Sequence, residues 1–316
     1  MTKSTRLLLY VLIMLALVLA GCSGGQVPQG NGASGDAGAG AGDDNFPVTF
    51  VDSLGREVTV GQQPAKVVSL SPAITEILFA IGAGDKIAGV TDYCEYPPEA
   101  LAKPKVGGFE DPNMELIIEL DPDLIFVAAG IQEEFVQQFH NLGMAVVVLD
   151  AETVEEVLHN IQLAGLALGQ VEEAGELVAQ LAARINAVKE TVAKAAHQPT
   201  VFFEVWDDPL MTAGPGSFID DLIRLAGGRN IASDAAKRYA EFSLEVLLER
   251  DPEVYLIQDH AHQPEDVMAR AGYEGLSAVR NGRVAAVKDD WVTLPGPRIV
   301  DGLEAMAKIL HPDLFE

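Results

Sequence analysis

Residues 171–196 read VEEAGELVAQLAARINAVKETVAKAA. Val171, Ala174, Val178, Leu181, Ile185, Val188, Val192 and Ala195 recur at spacings of three and four, the period of one apolar stripe along an α-helix. The stripe predicts a single helix of 26 residues, about 39 Å long. A helix of that length is unusual inside a compact α/β lobe, and Pro199 closes it. Upstream, Thr153 and Glu156 form a capping box that opens another helix, reaching about Leu168.

On both sides of these helices, short apolar runs alternate with helical periodicity. Upstream lie a hairpin at 46–60 turning at Ser53-Leu54-Gly55, a strand at 66–70, and a helix at 74–81 stopped by Gly82 and Gly84. Strands at 123–128 and 144–149 flank a helix at 132–142. Downstream, strands at 201–205, 253–258 and 284–287 alternate with helices at 218–226, 244–250 and 298–310. Such alternation indicates parallel sheets covered by helices. The expected fold is α/β: two Rossmann-like lobes, 46–170 and 198–316, joined by one long α-helix at 171–197.

An internal repeat supports two related halves. Residues 113–125, NMELIIELDPDLI, lie on 243–255, SLEVLLERDPEVY, at an offset of 130 without a gap. Glu115/Glu245, Glu119/Glu249, Asp121/Asp251 and Pro122/Pro252 are identical pairs. IGAGDKI at 81–87 also resembles LAGGRNI at 225–231, at an offset of 144.

The chain of 316 residues opens with Lys3 and Arg6, followed by 14 uninterrupted apolar residues from Leu7 to Ala20. That run is too short to span a bilayer and suits a signal-peptide core, giving a leader at 1–21. It ends Leu19-Ala20-Gly21-Cys22, which resembles the lipobox of bacterial lipoproteins, in which the cysteine carries the lipid. A plain signal peptide with an incidental cysteine is the alternative. Residues 22–45 are rich in Gly, Ala, Ser and Asp, the composition of a flexible tether. The expected location is extracytoplasmic, with Cys22 lipid-anchored to the cell membrane.

The formal charge of −26 excludes a nucleic-acid partner, which needs a basic face. Two cysteines make neither a disulfide framework nor a cysteine-rich zinc site. No HExxH, GxxxxGK[ST] or CxxC occurs, and Gly82-x-Gly84 follows a helix rather than a strand. The reading is therefore a protein that is no enzyme, with no catalytic residue and no intrinsic cofactor. His260 and His262 cluster just after a predicted strand, where α/β sheets face their ligand crevice. They are either metal ligands or exposed imidazoles of a polar loop. Cys94 reads as a small buried apolar side chain.

Aromatic residues are only 6% of the chain, so their positions carry weight. Tyr93, Tyr96, Phe109, Trp206, Tyr239 and Trp291 all fall in predicted loops or at strand ends, and both lobes contribute. A crevice lined this way suits a large planar or macrocyclic ligand.

The segment 66–126, with Ser69-Leu70-Ser71-Pro72 and Tyr93…Tyr96-Pro97-Pro98, and the later Asp290-Trp291…Pro297-Arg298, resemble a known family. It is that of the substrate-binding proteins with a single helical backbone, which serve ABC importers for cobalamin, haem and ferric siderophores. The resemblance covers about 47–311 and is strongest to the cobalamin-binding members. It implies two stiffly hinged lobes and capture of cobalamin or a related cobalt corrinoid between them. It further implies delivery to an ABC permease dimer, with haem or a ferric siderophore as the alternative cargo. Less favoured is an extracytoplasmic enzyme acting on a metal chelate through His260 and His262. The family's corrin contacts fall on Tyr93, Phe109, Tyr239 and Asp290; Trp206 and Trp291 complete the aromatic lining. Its two docking glutamates fall on Glu115 and Glu245. Wall positions that are aromatic in familiar cobalamin binders are Ala128 and Met211 here, and a pocket arginine is replaced near Leu294.

Overall fold

A computed structural model describes residues 45–260 and 262–315. The leader, Cys22 and all but the last residue of the tether lie outside the described residues. The chain opens with the hairpin β1 (Val48–Val51) and β2 (Glu57–Val60), antiparallel as expected. The buried Asp52 closes its turn, accepting from Leu54 N and Arg56 N at 3.1 Å and from Arg56 Nε at 3.0 Å. The same carboxylate accepts from Val148 N at 3.2 Å, which docks the hairpin on the first sheet.

That sheet is four-stranded and all parallel. Its order is β4 (Ile87–Val90), β3 (Val67–Ser69), β5 (Leu124–Val127), β6 (Val146–Val148). β3, β5 and β6 are buried at every position, which is why they read as unbroken apolar runs. Helices Pro72–Ala80, Met114–Leu120 and Glu133–Asn141 belong to this lobe.

The second lobe departs from a purely parallel sheet. β7 (Thr200–Asp207), β11 (Val254–Gln258) and β12 (Val284–Val287) are parallel neighbours, and β9 (Arg229–Asn230) pairs parallel with the start of β7. β8 (Leu210–Ala213) adds antiparallel to the far half of β7, and β10 (Tyr239–Glu241) adds antiparallel to β8. The cause is the length of β7: it runs on to Asp207, and the turn at Asp208-Pro209 sends the chain straight back. Tyr239, expected in a loop, therefore opens an edge strand. Trp291 likewise lies in a short helix, Asp290–Thr293, rather than in a loop.

The joining helix is Val171–Val192, 22 residues rather than 26. Beyond Val192 the bonds Lys194 N to Thr191 O and Ala195 N to Val192 O span only three residues, so the helix tightens and stops before Ala195. Ala174, Leu181, Ile185 and Val188 of the stripe are buried, while Val171 is exposed. The helix before it, Val154–Leu168, carries the expected capping box and ends at Gly169 in the left-handed region. Arg184 ties the joining helix to the last helix, Ile299–Leu310, through Glu304 at 2.8 Å and Asp301 at 2.6 Å.

Both repeats are structural. Helices Met114–Leu120 and Leu244–Arg250 begin on the caps Asn113 and Ser243 and end on Asp121 and Asp251. These two aspartates, at φ 48° and 37°, are the only non-glycine residues at positive φ among the described residues. The glycine turn needs a correction. Helices Pro72–Ala80 and Phe218–Leu225 end on Ile81 and Ala226, followed by Gly82 and Gly227 at φ 77° and 80°. The structural offset there is 145, so the ungapped match at 144 is one residue out of register.

Candidate functional site: the crevice between the lobes

Loops after the parallel strands carry Tyr93 and Phe109, while Trp206 and Tyr239 lie in strands and Asp290 and Trp291 in a short helix. In the first lobe Tyr93 follows β4 and is 65% exposed. Its loop is held from below by Cys94. The buried Cys94 Sγ lies 3.1 Å from both Thr75 Oγ1 and Thr91 Oγ1, and Lys105 Nζ donates to the carbonyls of Thr91 and Cys94. Cys94 is thus a hydrogen-bonded anchor as well as a packed side chain.

Phe109 is half-buried on the next loop. Gln132, fully buried, fixes that loop. Its amide donates to Leu70 O at 2.6 Å and to Phe109 O at 2.8 Å, and its oxygen accepts from Ala128 N at 2.8 Å. One neutral amide therefore ties three loops, including the one carrying Ala128.

In the second lobe Trp206 stands at the end of β7, 56% exposed. A bulge between Glu204 and Trp206 sets the tryptophan opposite Met211 of β8. Trp206, Asp207, His260 and His262 line one cavity of about 300 Å³, floored by Glu204 and Ile257. His262 Nε2 lies 3.1 Å from Asp207 Oδ2, and His260 Nδ1 lies 3.4 Å from Asp289 Oδ2. Burial raises the pKa of the Asp289 carboxyl, with His260 pulling it the other way, and its Oδ1 has no hydrogen-bond partner among the described residues. No group of three His, Cys, Asp or Glu side chains among the described residues could hold a metal ion.

Beneath this cavity the buried Glu204 takes Arg270 in a bidentate pair, at 2.5 and 2.9 Å, and accepts from the Tyr255 hydroxyl. Burial and the facing carboxylate push the Tyr255 phenol far up, so it stays a donor. Tyr239 and Met211 share a second and larger cavity, about 760 Å³, with Phe242, Ser243 and Val246.

Arg298 joins the two sides of the crevice. It donates to the buried Glu76 of the first lobe at 2.9 and 2.5 Å and to Asp290 at 3.1 Å. Its guanidinium also lies over the Tyr96 ring, 4.0 Å from the centroid. Burial raises the pKa of Glu76, and the hydrogen bond and charge of Arg298 oppose that shift. Trp291 lies beside this group, half-buried, with Lys288 Nζ 4.9 Å from its ring.

Glu115 and Glu245 are each exposed at the second position of its helix. The structure thus gathers Trp206 with the histidines, Tyr239 with Met211, and Tyr96 with Asp290. Gln132, Glu204 with Arg270, and the Glu76–Arg298 pair escape a reading of the sequence, which does not show that polar side chains so far apart become buried partners.

Two α/β lobes across one helix, with exposed aromatic rings on both, define a bilobal binding protein. The family model for the periplasmic binding proteins matches residues 67–291, and the chain belongs to that family, the substrate-binding proteins of ABC importers. It is 32% identical to the uncharacterized ABC transporter substrate-binding lipoprotein YvrC of Bacillus subtilis, over 96% of each chain. Among solved structures it resembles the periplasmic vitamin B12 binding protein BtuF of Vibrio cholerae. That match has a TM-score of 0.71 at 28% identity and covers 80% of this chain and 99% of that one. It also resembles the periplasmic heme-binding protein RhuT of Roseiflexus sp. RS-1, with a TM-score of 0.70 at 27% identity, covering 79% and 98%. No helix among the described residues is long and apolar enough to cross a membrane.

Proposed function

We propose that this chain captures a cobalt corrinoid, cobalamin or a close relative, in the inter-lobe crevice and delivers it unchanged to an ABC permease dimer. Cys22 carries the lipid that holds the protein at the outer face of the membrane, and Glu115 and Glu245 dock it on the permease. The observation that carries the ligand class is the lining: open aromatic rings on both lobes, set in an acidic rim. Tyr93, Trp206 and Tyr239 are each close to half exposed or more, so they hold area for a ligand rather than for the core.

The rim favours a corrinoid over haem. Asp207 ends β7, and Asp259, Asp289 and Asp290 follow the ends of β11 and β12. Among nearby cations, Arg298 is committed to Glu76 and Asp290, and Lys288 to the Trp291 face. Haem propionates would meet like charge there, whereas the amide groups around a corrin donate to carboxylates. The similarity to a vitamin B12 binding protein supports the same class.

The test is a visible-spectrum titration of the purified protein with cyanocobalamin, dicyanocobinamide, haemin and a ferric siderophore. Saturable, stoichiometric binding of a corrinoid and its recovery unchanged is the expected result. Tight haemin binding with no corrinoid response would overturn the ligand class, and a chemically altered chelate would make the protein an enzyme working through His260 and His262.

A further inference from the structure

The two short helices that bear Glu115 and Glu245 share more than their acids. Position by position from 114 to 120 and from 244 to 250, their exposure classes agree at six of seven places. Only Ile117 and Leu247 are buried. The outward side of each helix therefore carries Glu–x–x–apolar–Glu: Glu115, Ile118 and Glu119 in one lobe, Glu245, Leu248 and Glu249 in the other. Ile118 is 44% exposed and Leu248 is 37% exposed.

A lone exposed aliphatic side chain is ordinary. A pair at equivalent positions of two lobes, each flanked by the same two carboxylates, is a repeated surface. From this we propose that Ile118 and Leu248 are the apolar centres of two equivalent docking patches, which seat on two symmetry-related sites of one partner. This rests on the docking role given above to the glutamates, and it adds what the glutamates cannot supply. Each partner site must be an apolar hollow rimmed by basic groups. The carboxylates at 115, 119, 245 and 249 steer and orient, while burial of the aliphatic side chains holds the complex.

The occupant is a two-fold partner, because one surface presented twice fits only a surface presented twice. A permease dimer at the membrane has that symmetry. A second copy of this chain is disfavoured: it would bring the same four carboxylates together in a protein of formal charge −26.

The experiment compares two double variants, Ile118→Ser with Leu248→Ser, and Glu115→Ala with Glu245→Ala. Both are checked first by circular dichroism and by cyanocobalamin titration, which must match the parent protein. Binding to the cognate permease complex in nanodiscs is then measured at low and high salt. The serine pair is expected to weaken the complex by at least about tenfold, by the same factor at either salt concentration. The alanine pair is expected to weaken it at low salt, with the gap narrowing at high salt.

Parental binding by the serine pair, with loss in the alanine pair, would overturn the inference and leave the docking reading standing. Parental binding by both would overturn both. A parent protein that sediments as a dimer and becomes a monomer in the serine pair would assign the patch to self-association instead. If the serine pair fails the folding check, Ile118→Asn with Leu248→Asn goes through the same measurement, judged by the same two outcomes.

Discussion

The two lobes share one strand order and differ in what is added to it. In the first, β3 lies between β4 and β5, and β6 follows; in the second, β7 lies between β9 and β11, and β12 follows. Both reuse the same cap, helix and left-handed aspartate before the third parallel strand. The second lobe alone adds the antiparallel pair β8 and β10, which brings Met211 and Tyr239 to one cavity. The shared frame thus bears the exposed acidic helices.

The lobes also differ in how they fix their crevice loops, and this difference gives the largest expected effect. The first uses a neutral amide, Gln132; the second uses the charged cluster Glu204, Arg270 and Tyr255. Glu204→Ala leaves a mostly buried guanidinium and a buried hydroxyl without their acceptor, and should cost about 3–5 kcal/mol. Gln132→Ala removes a neutral group and should cost about 1–3 kcal/mol. Urea denaturation measures both, and equal losses would show that charge is not what separates the two lobes.

The link between the lobes comes next. Arg298→Ala should cost about 2–3 kcal/mol, less than Glu204→Ala, because Glu76 can take up a proton when its partner is gone. The sign with pH follows. Burial already raises the folded-state pKa of Glu76 above 4.5, and removing Arg298 raises it further. A carboxyl raised on folding contributes stability that is present below its unfolded pKa and lost as pH rises through its folded pKa. The variant should therefore lie nearer the parent in stability at about pH 4 than at about pH 7. A penalty that does not shrink toward low pH would contradict the burial of Glu76.

Phe109 and Tyr239 are also related by the offset of 130, each four residues ahead of its helix cap. If both touch the ligand, Phe109→Ala and Tyr239→Ala should each weaken cyanocobalamin binding by about 1–3 kcal/mol, or roughly ten- to a hundred-fold. Titration of the two variants asks whether the lobes contribute equally. A loss confined to one would put the ligand mainly against that lobe.

Much of this frame was legible in the sequence. The stripe from Val171, the Thr153 capping box and the Asn113/Ser243 repeat depend on local periodicity and on caps that bond within a few residues. What stayed hidden depends on contacts distant along the chain. The edge strand at Tyr239 exists only because β8 lies beside it, and Gln132 is a hub only because Leu70 and Phe109 arrive from elsewhere. The apolar period overruns the joining helix because Ala195 keeps it after the backbone has left the helix. Of the candidate site, the residue types and loop positions were readable; the pairing of Asp290 with Arg298, and of the histidines with Asp207 and Asp289, was not.

The smallest effect makes the sharpest comparison, because one substitution at equivalent positions should change sign. Asp121 and Asp251 both end their helices in the left-handed region, where glycine is favoured. The Asp121 carboxylate makes no hydrogen bond among the described residues, so Asp121→Gly should stabilise by up to about 1 kcal/mol through relief of backbone strain. Asp251 differs: its carboxylate accepts from Ser277 N and from Ser277 Oγ, both at 2.6 Å, with Arg280 3.6 Å away. Burial tends to raise its pKa, but those hydrogen bonds and the nearby charge outweigh burial and hold it below the usual aspartate value. Asp251→Gly should lose more than it relieves and destabilise by about 1 kcal/mol, a modest figure because the side chain is partly exposed. A carboxyl lowered on folding contributes stability that is present above its unfolded pKa and lost as pH falls through its folded pKa. The penalty at 251 should therefore fade in acid while the gain at 121 persists. Urea midpoints of the two variants at neutral and acid pH measure this, and equal responses would mean that the Ser277 bonds do not distinguish the lobes.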